Sequence, residues 1–217
     1  MKDLTEVVFI LDRSGSMSGL EKDTIGGFNA MIEQQKEKEG DVIVSTILFD
    51  HDYKILHDRM PIHKIEPLTK KDYYVGGTTA LLDAVGRTIH HIGSLHKHLP
   101  REIRPSRTLF IITTDGMENA SRKYTSDRVK EMIEHQKEKY GWEFLFIGAN
   151  IDAVETAARY GISKDRAVNY NSDELGTKIL YETVSKAVYN VRACAPLSAD
   201  WSKDIDKDYK SRNKKSR

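Results

Sequence analysis

Four short apolar runs punctuate the chain: Val7 to Leu11, Val42 to Phe49, Leu109 to Ile112 and Phe144 to Ile147. Each is continuous rather than alternating, the pattern of strands buried on both faces in a parallel sheet covered by helices. Between and after the runs lie segments with helical spacing. Ile25, Phe28 and Ile32 share one face, as do Leu81, Val85, Ile89 and Ile92. Val129, Met132 and Ile133 repeat the pattern, followed by Ala153, Ala157 and Ala158. Leu175, Ile179, Val184, Ala187 and Val191 mark a last long helix, which Ser172 or Asp173 is placed to cap. Strands alternating with helices predict right-handed crossovers and an α/β, doubly wound, Rossmann-like sheet with helices on both faces. One connection breaks the rhythm. Phe49-Asp50-His51-Asp52-Tyr53 is a tight turn into a second strand-like run, Tyr53 to Arg59. So short a turn reverses the chain, which makes the second run an antiparallel edge strand on a mostly parallel sheet. His96 to Arg107, with Pro100 and Pro105, reads as a connecting loop.

Composition narrows the class. The chain has 217 residues, which suits one domain, residues 1–197, followed by a basic tail, 198–217, expected to be disordered. Apolar residues make up 39%, enough for one core, and charged residues 31%, enough to solvate the outer helix faces. With 34 basic against 33 acidic residues, the balance argues against general nucleic-acid binding. The lone cysteine, Cys194, excludes an internal disulfide and fits a reducing compartment as a partly buried, inert thiol. No stretch approaches the roughly 18 apolar residues of a membrane span. The first residues enter a strand-like run without a signal segment, so the expectation is a cytoplasmic protein.

Three pieces carry candidate chemistry. Asp12-Arg13-Ser14-Gly15-Ser16 follows the first buried run, Gly76-Gly77-Thr78-Thr79 opens a helix, and Thr113-Thr114-Asp115-Gly116 ends another buried run. In a doubly wound sheet, ligands gather at the carboxyl ends of strands where the strand order reverses. If the first and fourth strands are neighbours there, the three pieces meet in one crevice. Asp12 and Asp115 offer carboxylates; Ser14, Ser16 and Thr78 offer hydroxyls. An oxygen set without cysteine or histidine favours Mg²⁺, Mn²⁺ or Ca²⁺ over zinc. Two carboxylates balance a dication and neutral hydroxyls add no further charge, which leaves the ion ready for one more anionic oxygen. An Asp or Glu side chain of a partner protein is suited to supply it.

Asp12-x-Ser14-x-Ser16, Thr78 after a Gly-Gly pair, and Asp115 in Thr-Asp-Gly resemble the metal-ion-dependent adhesion site of von Willebrand factor type A domains. The resemblance spans about Leu4 to Ala195 and includes the antiparallel edge strand. It implies that Asp12, Ser14, Ser16, Thr78 (rather than Thr79) and Asp115 surround the ion. It also implies a module for protein–protein contact rather than an enzyme. In some relatives the last helix slides when the ion's coordination changes.

Other readings weigh less. A metal-dependent phosphohydrolase with Asp12 as nucleophile needs a second carboxylate two positions on, where this chain has Ser14. Neither a phosphate-cradling Gly-x4-Gly-Lys-Ser/Thr loop nor a Gly-x-Ser-x-Gly elbow is present. Asp50, His51 and Asp52 stand where a hairpin turn is required, so turn chemistry outweighs metal ligation. His90, His91, His96 and His98 crowd a helix end without a carboxylate or cysteine nearby in sequence, and zinc is disfavoured there. Glu118 and Asn119 read as part of a solvated loop.

Overall fold

The computed structural model describes residues 3–213. Its six-stranded sheet is built from β1 (Thr5–Asp12), β2 (Val42–Phe49), β3 (Tyr53–Pro61), β4 (Arg107–Asp115), β5 (Glu143–Ala149) and β6 (Ala167–Asn169). The spatial order is β3-β2-β1-β4-β5-β6. All neighbouring pairs are parallel except β2 with β3, which the turn at Asp50–Asp52 joins as an antiparallel edge hairpin. The order reverses between β1 and β4, whose register aligns Leu11 with Thr113. The crevice beyond the carboxyl ends of these two strands is therefore the switch point of the sheet.

Six α-helices cover it: α1 (Glu21–Lys36), α2 (Leu81–His98), α3 (Ser126–Tyr140), α4 (Ala153–Arg159), α5 (Glu174–Arg192) and α6 (Lys203–Asn213). Val7, Phe9 and Leu11 point from β1 into a layer with Phe28 and Met31 of α1 and Leu180 and Val184 of α5. Val8 and Ile10 point the other way, towards Leu81, Val85 and Ile89 of α2 and Val129 and Ile133 of α3. Both faces of β1 are thus packed, which is why its apolar run has no alternation. Two apolar positions assigned to helix faces are exposed instead: Ala158 on α4 and Leu175 on α5.

Asp173 caps α5, its carboxylate accepting from the Gly176 amide at 2.8 Å. Position 176 has no room for a side chain. A Cβ there would lie 1.9 Å from the Asn171 carbonyl oxygen, a backbone atom that cannot step aside alone. Gly176→Ala is expected to cost up to about 3 kcal/mol, the scale of a forced overpacking, read as a lower urea midpoint.

Three further sequence expectations need correction. His96 does not begin a loop: α2 continues to His98, and His96 is buried. Nor does order end at residue 198. Trp201 and, on the α6 helix that follows it, Ile205 are buried in the core layer shared with α5. Arg212 pairs with Asp173 and Asp208, and the Asp208 carboxylate accepts from the Asn171 amide at 2.8 Å. Two anchoring side chains and a few polar clasps suffice to dock a helix whose other positions are polar. The last four residues of the expected basic tail, 214–217, lie outside the described residues. Cys194 is exposed rather than partly buried. No described helix is long and apolar enough to cross a membrane.

Candidate metal centre

β1 and β4 end side by side, and this alone brings the two acidic loops together. The Asp115 amide donates to Asp12 Oδ2 at 3.2 Å, and Thr114 Oγ1 donates to the same oxygen at 2.7 Å. Asp12 Oδ1 accepts from the Ser14 amide at 2.7 Å, which folds the loop back over the strand end. The Ser14 and Ser16 hydroxyls lie 3.0 Å apart, and Ser16 also donates to the Asp115 carbonyl. From the other side, the Gly15 amide donates to the Gly77 carbonyl at 3.0 Å and the Gly76 amide to the Arg13 carbonyl at 2.9 Å. The Gly76–Thr79 loop is thereby stitched to the Asp12–Ser16 loop. Thr78 is exposed at the surface of this loop, whereas Thr79 is buried. Gly77 takes a positive φ of 74°, and a Cβ there would strike the His51 ring.

Asp12 and Asp115 are 1% and 2% exposed. Burial pushes both carboxyl groups above the ordinary carboxylate range, despite hydrogen bonds that pull the other way. Among the described residues, no lysine or arginine pairs with either one. Nearby Arg13 is committed elsewhere, its Nε lying 3.0 Å from Asp50 Oδ2. The crevice therefore concentrates acidic groups and hydroxyl oxygens without a paired cation among the described residues.

Several residues that shape the crevice carry no motif. Asn150, at φ 56°, donates its amide to Asp115 Oδ1 at 2.6 Å and to Ser172 Oγ at 3.1 Å. Tyr73 donates its hydroxyl to the Asp12 carbonyl. Asn119 is no solvated bystander: its side-chain oxygen accepts from the Thr79 amide at 2.9 Å. Glu118 likewise accepts from the Leu82, Ala120 and Ser121 amides, so it caps α2 and closes its own loop. Loops rich in Asn, Ser and Glu announce hydrogen bonding in sequence, but not which backbone donors they meet.

The alternative clusters resolve differently. Asp50, His51 and Asp52 each bring a ligand atom within 4.8 Å of the others. Asp50 is occupied by Arg13 and by the Asp52 amide at 2.6 Å, as a hairpin turn requires. The helix-end histidines do find carboxylates, but separate ones: His91 meets Asp58 at 2.9 Å and His96 meets Glu6.

An open α/β sheet with an acidic, hydroxyl-lined crevice at its switch point defines the fold class to which this architecture belongs. With its antiparallel edge hairpin at β3, it is the von Willebrand factor type A fold. Solved structures agree. A mutant of the PilB minor pilin from Streptococcus sanguinis superposes with a TM-score of 0.60 at 12% identity, over 88% of this chain and 62% of that one. Proximal thread matrix protein 1 from the mussel byssus, with a zinc-occupied MIDAS motif, gives 0.56 at 13% identity, over 87% and 46%. A von Willebrand factor type A protein from Catenulispora acidiphila gives 0.56 at 12%, over 87% and 43%. The chain therefore spans between 43% and 62% of these proteins' lengths. No protein-family model and no curated protein sequence matches it.

Proposed function

We propose that the chain is a metal-dependent protein-binding module rather than an enzyme. In this reading Asp12, Ser14, Ser16, Thr78 and Asp115 hold a divalent cation, Mg²⁺ or Mn²⁺, with Ca²⁺ as the larger alternative. The ion presents an open position to an Asp or Glu side chain of a partner protein, in the cytoplasm. One observation carries the reading: two buried carboxylates and two touching serine hydroxyls share a crevice in which, among the described residues, no basic side chain neutralises them. A buried anion without a counter-ion is costly, and a hard cation offsets that cost while accepting hydroxyl ligands. The donor set fits such an ion. The zinc-occupied motif of the mussel protein lends support from a shared fold. Against turnover speaks the side chain at position 14, a serine where an Asp-nucleophile phosphohydrolase needs its acid–base carboxylate.

Calorimetric titration with Mg²⁺ and Mn²⁺ tests the first half. The wild type is expected to give a saturable, one-site isotherm that Asp12→Ala abolishes. Equal heats for the two proteins would sink the proposal. Capture experiments with and without chelator test the second half, since partners held through the ion must be lost when it is removed.

A further inference from the structure

The metal crevice accounts for one end of the sheet only. Around the other flank, α2 and α3 diverge over a cleft of about 910 Å³, walled at its deep end by Trp142. Trp142 stacks on Phe110 at 5.1 Å between ring centroids, so this end of the cleft rests on the rigid core. Its charge is lopsided. Lys97, Arg104, Arg128 and Lys139 line it against a single carboxylate, Glu131, a local excess of three positive charges in a chain of net charge +1. Glu131 is already paired with Arg128 at 2.9 Å, while among the described residues Lys97, Arg104 and Lys139 form no ion pair.

We propose that this cleft is a second binding site, for an acidic peptide segment of a partner protein, independent of the metal crevice. Charge selects an anion, and two orphaned atoms in the wall select a peptide over a phosphate. Arg104 Nε lacks an acceptor and Gln136 Oε1 lacks a donor, and both atoms are buried. Each unmet group is costly in the free protein. Both side chains are themselves only half-buried, so an incoming chain that turns them outward recovers the loss. A peptide group brings a carbonyl for Arg104 and an N–H for Gln136. A phosphate ester dianion brings acceptors alone and leaves Gln136 unsatisfied. Glutamate or aspartate side chains of the same segment then reach Lys97 and Lys139 at the rim.

The test uses the whole chain in excess chelator, so that the metal crevice cannot contribute, with a fluorescent oligoglutamate peptide at low ionic strength. Saturable binding is expected, weakening steeply with added salt. Lys97→Glu combined with Lys139→Glu should reduce the affinity by about tenfold or more, the scale of two lost charge-assisted contacts, with the circular dichroism unchanged. Arg104→Gln alone should give a smaller loss. The site is disproved if the double variant binds as well as the wild type, or if inorganic polyphosphate binds more tightly and displaces the peptide. Binding that requires Mg²⁺ would also disprove it, while leaving the metal-dependent reading intact. Failure of Mg²⁺ to bind at all would leave oligoglutamate binding untouched.

Discussion

Asp115→Asn is expected to erase the thermal stabilisation that Mg²⁺ gives the wild type, while leaving the metal-free protein at least as stable. At a hundredfold excess of metal over its Kd, a site specific to the folded state contributes about 2.7 kcal/mol. In a domain of this size that moves Tm by roughly 5–10 °C. The variant keeps the side-chain oxygen that accepts from Asn150 and loses the charge that burial penalises, while its amide nitrogen can donate to the Ser172 hydroxyl in place of the lost carboxylate oxygen. The pH dependence has a definite sign. In the metal-free fold the Asp115 carboxyl is held above its unfolded value, so its protonated form stabilises the fold. That contribution is complete below the ordinary aspartate pKa and is lost as pH rises through the elevated one. Metal reverses the trend, because it binds the ionised form: its stabilisation should be full near neutrality and vanish as pH falls through the same window. Thermal melts with and without Mg²⁺ across this range measure both limbs. A metal-induced shift that survives in Asp115→Asn would exclude this residue from the site.

The second large effect is expected at the opposite end of β1. Glu6 is fully buried and joins Arg59 Nε at 2.9 Å and the His96 ring. Arg59 reaches it because β3 carries an irregularity where Ser45 Oγ accepts from the Arg59 amide, with φ at 50°. Such a bulge re-aims a side chain that a regular strand would send elsewhere. Glu6→Ala leaves a half-buried guanidinium and a buried imidazole without their carboxylate, which is expected to cost about 3 kcal/mol. Urea unfolding should show the midpoint fall accordingly, while the Mg²⁺ affinity of the folded variant stays at the wild-type value. A loss below about 1 kcal/mol would mean that water already solvates the cluster.

How much of this was legible in the sequence depends on which physical signal each element carries. The buried strands β1, β2, β4 and β5 announced themselves because both of their faces are covered, and the β2–β3 turn because its length permits only reversal. β6 did not, since a three-residue strand is too short to show a pattern. α6 was hidden for the opposite reason: its helical face is almost wholly charged, and only Trp201 and Ile205 bury apolar surface. The crevice divides in the same way. The Asp and Ser spacing on one loop, and the strand ends that bring Asp12 beside Asp115, follow from topology. Asn150 follows β5 and Ser172 follows β6, two further connections that only the registers of β5 beside β4 and of β6 beside β5 bring within reach. Glu6 and His96 were unreadable as a pair because 90 residues separate them and each looked unremarkable alone.

The position of α6 has a practical corollary. Arg212 and Asn213 fasten the helix to Asp173 and Asn171, immediately beside the Ser172 hydroxyl that meets Asn150. Asn213, the last described residue of this helix, thus lies beside Asn150 and Ser172 at the lip of the acidic crevice. Asp3, by contrast, precedes β1 at the far pole of the sheet. A fluorophore meant to leave the crevice open therefore belongs at exposed Asp3, whereas one attached at Asn213 would throttle the very encounter it was meant to report.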